Sequence, residues 1–377
     1  MTFTLAFRNL FHDRVRLAVT LIGILFAIVL IAVQLGLYLG ARQIIASPID
    51  HANGDVWIMG YGNKNFEEAQ PINQRARFVA LSTPGVASVI PMITSFVDWK
   101  KPDGGTANIV LVGADPEDGA MVPWNIVEGD TTALGTRDAV IVDKTYLEDL
   151  GIKTVNEIAQ VNGSRVRVVG LTDGIRSFTT TPFVFTTLPR ARSLLGLGPD
   201  QISYALVKLD PGASSDAVSA ALQARLPDLQ VLTKSEFRMR SLNYWMLSTG
   251  AGVALIGGAI LGLIVGTVIV AQTLYSSTKD HLNEFATLRA LGSSTGYIHK
   301  VILAQAALSA ALGYVLGMII AMLIIFVTES MALPLPIIMT GGLAVLLFGL
   351  TLFMCAVSAI AAISKVTRID PAMVFAR

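Results

Sequence analysis

Asn283-Glu284-Phe285-Ala286-Thr287-Leu288-Arg289-Ala290-Leu291-Gly292 is a charged, helix-forming island caught between two long apolar segments. An island this short cannot be a domain. Phe285, Leu288 and Leu291 recur at helical spacing, Glu284 and Arg289 stand beside them, and Gly292 sits where a helix would stop. The pattern predicts a compact docking helix on one face of a membrane. An ordinary solvated loop between two spans is the plainer alternative.

The segments around the island decide the class. Uncharged runs occupy Leu17–Ala41, Ser241–Thr278, Val301–Thr328 and Ser330–Ser364. Each exceeds the roughly 20 residues that cross a ~30 Å hydrocarbon core. Four transmembrane helices follow, with apolar cores near Leu17–Leu39, Met246–Leu274, Val301–Val327 and Gly341–Ile363. A content of 53% hydrophobic and only 15% charged residues agrees with a membrane protein.

The net charge of +1 argues against bulk attraction to nucleic acid, and no long basic run exists. Local charge says more. Arg8, Arg14 and Arg16 precede the first span, Lys279, Arg289 and Lys300 lie between the second and third, and Lys365, Arg368 and Arg377 follow the fourth, whereas Thr328 to Thr340 carries only Glu329. The positive-inside rule therefore places both termini and the 275–297 loop in the cytoplasm and the 42–245 segment outside. Lys234, Arg238 and Arg240 oppose this just before the second span. They belong to a long translocated segment, where the rule loses force. The first span is too long for the core of a secretory signal, and no small-x-small cleavage site follows it. Cys355 is the single cysteine and falls in the fourth span, so the external segment has no disulfide and no thiol-ligated metal.

Three regions result. Residues 1–41 hold an N-terminal amphipathic helix, with Phe3, Phe7, Leu10 and Phe11 on one face, and the first span. Residues 42–245 form a large extracytoplasmic (periplasmic) α+β domain. Residues 246–377 form a three-helix transmembrane domain with the cytoplasmic island, about 279–293, and a cytoplasmic tail. Within the external domain, β-branched runs predict strands at Asp55–Met59, Ala87–Val97, Asn108–Gly113, Ala139–Val142, Arg165–Gly170 and Ser203–Leu209. Helices are expected at Lys144–Leu150, Pro189–Leu194 and Ser214–Leu226, the last turning Ala217, Ala220, Ala221, Leu222 and Leu226 inward. Lys234–Met246 is expected to lead helically into the second span as a stalk.

Ala254, Gly258, Gly262 and Gly266 repeat every four residues in the second span, and Gly313, Gly317 and Ala321 do so in the third. Such faces let helix backbones approach closely in lipid. They serve either packing within one chain or a dimer contact. Four helices leave little room for a substrate path, so a functional unit of two copies is expected.

Several chemistries are missing. The spans carry almost no ionisable residue, which disfavours a proton or ion relay. The sequence has no G-x-x-x-x-G-K-[ST] loop to cradle ATP, no G-x-S-x-G elbow, and four histidines (His12, His51, His281, His299) without metal-ligand spacing. Asp115, Glu117 and Asp118 flank Pro116 and read as an exposed turn rather than paired catalytic carboxylates. Trp57, Trp99 and Trp124 read as domain core before they read as a ligand surface. No catalytic, cofactor-binding or metal site is expected, and energy must come from elsewhere.

Taken together, the order of elements resembles the permease subunits of MacB/FtsX-type ABC transporters. Leu5-Ala6-Phe7-Arg8-Asn9-Leu10 is similar to that family's opening, residues 284–292 to its segment between the second and third spans, and Asp370-Pro371-Ala372 to its tail. Size and the Asp370-to-Phe375 ending resemble the DevC-like exporter permeases within it. The resemblance implies a non-catalytic subunit of the bacterial inner membrane, paired with a separate ABC ATPase that carries the ATP and Mg. It implies a homodimer, a periplasmic membrane-fusion adaptor with an outer-membrane channel, and export of a lipid, glycolipid or other amphipathic substrate by mechanotransmission. Residues 284–292 would then be the coupling helix, with Glu284 and Arg289 making polar contacts to the ATPase, Phe285, Leu288 and Leu291 apolar ones, and Gly292 ending it. An FtsX-like signal transducer and a lipoprotein-releasing permease share the same membrane features.

Overall fold

The computed structural model describes residues 6–8, 11–280, 287, 294–330 and 336–366. The chain divides into two compact units, one built of Met1–Leu39, Val253–Met331 and Pro336–Arg377, the other of Gly40–Gly252.

Among the described residues, four helices are long and apolar enough to cross a membrane. They run Arg14–His51, Ala251–Asp280, Thr295–Ser330 and Gly341–Val366. The first is 38 residues, about 57 Å at the helical rise, nearly twice a hydrocarbon core. Its last part, beyond Leu39, belongs to the second unit. Within the membrane unit, Ile24, Ala27 and Ile28 of this helix share a buried cluster with Val270 and Leu274, Ile302, Ala306 and Ala310, and Met354, Cys355 and Ala359. The first helix is thus packed against the other three. Near the N-terminus, residues 6–8 and 11–12 are helical and the exposed rings of Phe7 and Phe11 lie 4.4 Å apart. Phe3 and Leu10 fall outside the described residues.

The second unit is an α+β domain on a ten-stranded mixed sheet. Its strand order is Gln230–Thr233, Val56–Met59, Tyr204–Leu209, Val86–Lys100, Thr106–Gly113, Phe183–Thr186, Ala139–Asp143, Ser164–Thr172 and Ile126–Glu128, with Ile158–Val161 pairing both Val86–Lys100 and Ser164–Thr172. Two pairs are parallel, Thr106–Gly113 with Phe183–Thr186 and Ala139–Asp143 with Ser164–Thr172. Successive residues of a strand point to opposite faces. Val56 and Ile58 therefore enter one core with Val89, Leu111 and Val207, while Trp57 and Met59 enter the other with Met92, Phe185 and Leu206. Burial on both faces explains why these strands read as continuous apolar runs rather than alternating ones.

Helices Arg75–Leu81, Leu188–Leu195 and Ser215–Arg225 contribute Ala76 and Ala80, Leu194, and Val218 and Leu222 to the first core. The expected inward face of the last helix is corrected. Ala217, Ala220 and Ala221 are exposed, whereas Leu222 and the partly buried Leu226 pack inward as expected, joined by Val218. Bulk decided this, since a branched valine four residues from a leucine buries more apolar area than a row of alanines. The acidic turn at Asp115 to Gly119 closes through the Gly119 N–H and Pro116 carbonyl, and the Asp115 carboxylate accepts the Leu188 N–H at 3.1 Å, capping the following helix from outside.

Candidate functional site

Glu284, Phe285, Leu288, Arg289, Leu291 and Gly292, the expected coupling residues, lie outside the described residues. Of the island only Thr287 is described, helical and exposed. The second spanning helix reaches Asp280, whose carboxylate accepts a hydrogen bond from the Arg16 guanidinium, and Asp13 lies 3.3 Å from the same guanidinium. The start of the first helix and the end of the second are so held together immediately before the island.

Inside the membrane unit, Gly258, Gly262 and Gly266 turn toward neighbours in the same chain. A methyl group on Gly266 would stand 2.5 Å from the Ala27 Cβ and 2.6 Å from the Met354 Sδ. On Gly262 it would meet Ile31 and Leu30 at 3.2 Å, and on Gly258 the Gln34 amide at 2.8 Å. Gly313 and Gly317 of the third helix receive Ile24 and Ile28 in the same way. The first helix therefore lies in two glycine grooves. Ala254 departs from the expected face and is exposed. Side-chain hydroxyls add links between helices: Ser358 donates to the Thr267 carbonyl at 2.8 Å and Tyr314 to the Ala344 carbonyl at 3.0 Å.

In the second unit, the end of the first helix and the start of the stalk meet at one junction. The stalk helix Lys234–Asn243 begins with a capping box, in which the Thr233 hydroxyl accepts the Glu236 N–H and the Glu236 carboxylate accepts the Thr233 N–H. Lys234 Nζ donates to the carbonyls of Asp50 and Ala52 at 2.9 and 2.8 Å, a cation placed on the unsatisfied end of the first helix. Partial burial lowers the pKa of this ammonium. Arg238 Nε contacts both oxygens of Asp50, at 3.0 and 3.1 Å. Phe237 is fully buried, its ring 5.0 Å from Trp57 and 5.7 Å from Tyr204, so the stalk is bolted to the sheet by apolar contact as well as charge.

The stalk is not the continuous helix that its sequence predicts. It passes into a π-turn at Tyr244–Ser248, and Gly250 takes a φ of +79°, which ends it before the second spanning helix starts at Ala251. Met246, expected to open the span, lies inside this π-turn. The backbone adopts at Gly250 a conformation that side chains rarely take, which is why the break falls there.

The π-turn faces a buried carboxylate that local sequence does not flag. Glu67 is 4% exposed, accepts the Trp245 indole N–H at 3.2 Å, and lies 3.4 Å from the Ser177 hydroxyl. Phe178 packs against the Trp245 ring at 5.5 Å, and the buried Tyr204 hydroxyl donates to the carbonyls of Asn65 and Phe66. Burial pushes the Glu67 carboxyl up to about 7, against the smaller opposing effects of its hydrogen bonds.

A model of the MacB-like periplasmic core domain matches residues 17–225, more than half of the chain, and a model of the FtsX-like permease C-terminal matches residues 251–371. The chain belongs to the MacB/FtsX-type ABC transporter permeases. An uncharacterised ABC transporter permease of Mycobacterium tuberculosis is 24% identical over 364 residues, covering 96% of this permease and 95% of the relative. The macrolide export ATP-binding/permease protein MacB of Psychrobacter cryohalolentis is 24% identical over 325 residues, and this permease spans about half of its length, 47%. Among solved structures, the periplasmic region of MacB from Actinobacillus actinomycetemcomitans aligns with a TM-score of 0.37 at 12% identity, covering 51% of this chain and 94% of that one.

Glu67 gives the extracytoplasmic domain of the permease a defined pH response. Because its folded-state pKa is raised above the ordinary 4.5, the folded domain binds the proton more tightly than the unfolded chain does. The associated stability is full below about pH 4.5 and is lost as pH climbs to about 7, a loss of roughly 3 kcal/mol. Glu67→Gln keeps an acceptor for Trp245 and removes the charge. The variant is therefore expected to melt higher than the parent at pH 8 and by a much smaller margin at pH 5, as read by thermal unfolding. A parent that is less stable at pH 5 than at pH 8, with the variant following it, would contradict this.

Proposed function

We propose that this permease is the membrane subunit of an ATP-driven exporter working by mechanotransmission. A separate ABC ATPase, which holds the ATP and Mg, docks on the 284–292 island of each of two copies. Its closure moves the second spanning helix and, through the stalk, the extracytoplasmic domain. The observation that carries this reading is the junction, where Lys234, Phe237 and Arg238 fasten the stalk to the end of the first helix and to the sheet. Both chain segments that leave the membrane unit are attached to the load they would move.

The protein sits in the inner membrane with cytoplasmic termini in this reading, an orientation that the distribution of Lys and Arg supports. Because Gly258, Gly262 and Gly266 are filled from within the chain, a second copy would use exposed positions of the second helix such as Val253, Ile260, Ile264 and Val268. Near absence of ionisable residues in the spans fits an amphipathic lipid or glycolipid cargo that does not cross the bilayer through a wide pore. A periplasmic membrane-fusion adaptor and outer-membrane channel complete the DevC-like form of this proposal.

Mass spectrometry of the complex, purified gently from native membranes, tests it. An ATPase together with a membrane-fusion adaptor and an enriched lipid is the expected composition. An ATPase with a cell-wall hydrolase or its activator, and no adaptor, would replace export with FtsX-like signalling.

A further inference from the structure

The stalk's π-turn needs a holder. A π-turn carries one residue more than a regular turn and persists only where the surroundings stabilise it. Trp245 is the residue that fastens it, with its ring on Phe178 and its N–H on Glu67. A buried carboxylate is costly unless it is paired or protonated. The groups acting most on Glu67 are its own burial, the Trp245 and Ser177 donors, its own backbone, and the like charge of Glu68, and no cation is among them.

Tyr204 reaches in from the sheet, and its ionisation is opposed by Glu67. Behind Ser177 stand Tyr146, whose hydroxyl accepts the Ser177 N–H at 3.3 Å, and Arg176 and Asp143, which act on that tyrosine. Lys64 lies over the Tyr244 ring, 5.7 Å from its centre, and so sits beside the π-turn. Both tyrosines are pushed above the ordinary phenol range, so neither titrates between pH 5 and 8. Glu67, pushed up to about 7, changes its charge within that window.

We propose that Glu67 is a positioning residue for transmission, which holds the π-turn through the Trp245 indole when neutral and releases it when ionised. The neutral acid accepts the indole N–H at no charge penalty inside the domain. The carboxylate makes the stronger bond to the indole N–H but loses its hydration in this burial, and that loss outweighs the bond, so ionisation favours any opening of the π-turn that admits water. An acidic exterior then tightens the stalk and a neutral one loosens it. This role rests on the stalk carrying motion, so its test has an arm that does not need transport.

Hydrogen exchange of the Tyr244–Ser248 amides, measured on the full-length permease in nanodiscs and corrected for intrinsic rates, reads the holding directly. Between pH 6 and pH 8 protection in the parent is expected to fall by up to roughly tenfold, the limit reached if opening returns the acid from about 7 to its ordinary 4.5. Glu67→Gln is expected to stay protected at both pH values, and Trp245→Phe, which keeps a ring and loses the donor, to be poorly protected at both. Equal pH dependence in the parent and in Glu67→Gln would overturn the proposal. In a second arm, the permease is reconstituted with its ATPase, and ATP turnover is compared in the same variants. A pH profile that flattens in Glu67→Gln supports the role in transmission, whereas an unchanged profile alongside altered exchange overturns that role and leaves the exporter reading to its own test.

Discussion

Gly266→Leu is expected to lower the thermal midpoint of the solubilised permease by roughly 5–10 °C, the equivalent of about 3 kcal/mol of overpacking in a domain of this size. The reason is geometric. A Cβ at Gly266 already falls 2.5 Å from the Ala27 Cβ, and Ala27 has no rotamer with which to give way. On the other side the Met354 thioether, at 2.6 Å, can swing aside but only into a buried cluster. The second helix would have to leave the first, and Gly262, which receives Leu30 and Ile31 of the first helix, would lose its partner with it. Gly258→Leu should be milder, because its nearest neighbour is the end of the flexible Gln34 side chain. Gly257→Leu, one residue away and with nothing within 4 Å, should leave the midpoint unchanged. Midpoints of the Gly266 and Gly257 variants that coincide would show that close helix approach does not hold this unit together.

Glu284→Lys combined with Leu288→Asp is expected to abolish association with the ATPase while leaving membrane insertion intact. One change reverses a charge at the polar edge of the island and the other puts a carboxylate in its apolar stripe. If each removes a contact worth about 2 kcal/mol, affinity falls roughly a thousandfold. Neither residue lies in the uncharged runs that insert, so the chain should reach the membrane in normal amount. Normal co-purification of the ATPase with this double variant would remove the docking-helix reading of residues 284–292.

The spans were legible in the sequence because their signal is local: uncharged length alone identifies them. The long strands Val86–Lys100 and Ser164–Thr172 were legible for a similar reason, since β-branched residues dominate them. Phe183–Thr186 escaped. Four residues between prolines carry no period, and this strand exists because it pairs with Thr106–Gly113 on one side and Ala139–Asp143 on the other, both distant in sequence. Arg75–Leu81 escaped as well, its alanines being buried and its Phe78 exposed, the reverse of what hydrophobicity suggests.

The candidate site divides along the same line. The stalk was visible, and so were Lys234, Arg238 and Arg240, but only as charges that oppose the positive-inside rule. The structure supplies a reason for two of them, the first helix's terminal carbonyls for Lys234 and the Asp50 carboxylate for Arg238. Glu67 could not be found from sequence. It lies in a polar stretch with Asn63, Lys64, Asn65 and Glu68, and its burial comes from contacts with segments distant in sequence, Trp245 at 178 residues and Tyr204, whose hydroxyl bonds the neighbouring Phe66 carbonyl, 138 residues from that phenylalanine. Glycine spacing identified the faces at Gly258, Gly262 and Gly266 but not their partner, because a small residue signals close approach without naming what approaches.

Nucleotide-driven motion of the membrane helices is expected to reach the extracytoplasmic domain. The direct measurement is a spin-label distance between two copies of the permease, each carrying Asp216→Cys on the exposed side of the Ser215–Arg225 helix and Cys355→Ala, in complex with the ATPase. The expected result is a distance distribution that shifts by several ångströms between the nucleotide-free complex and the complex trapped with ATP and vanadate. A distribution that is unchanged while ATP hydrolysis proceeds, or a complex that holds a single copy, would contradict it.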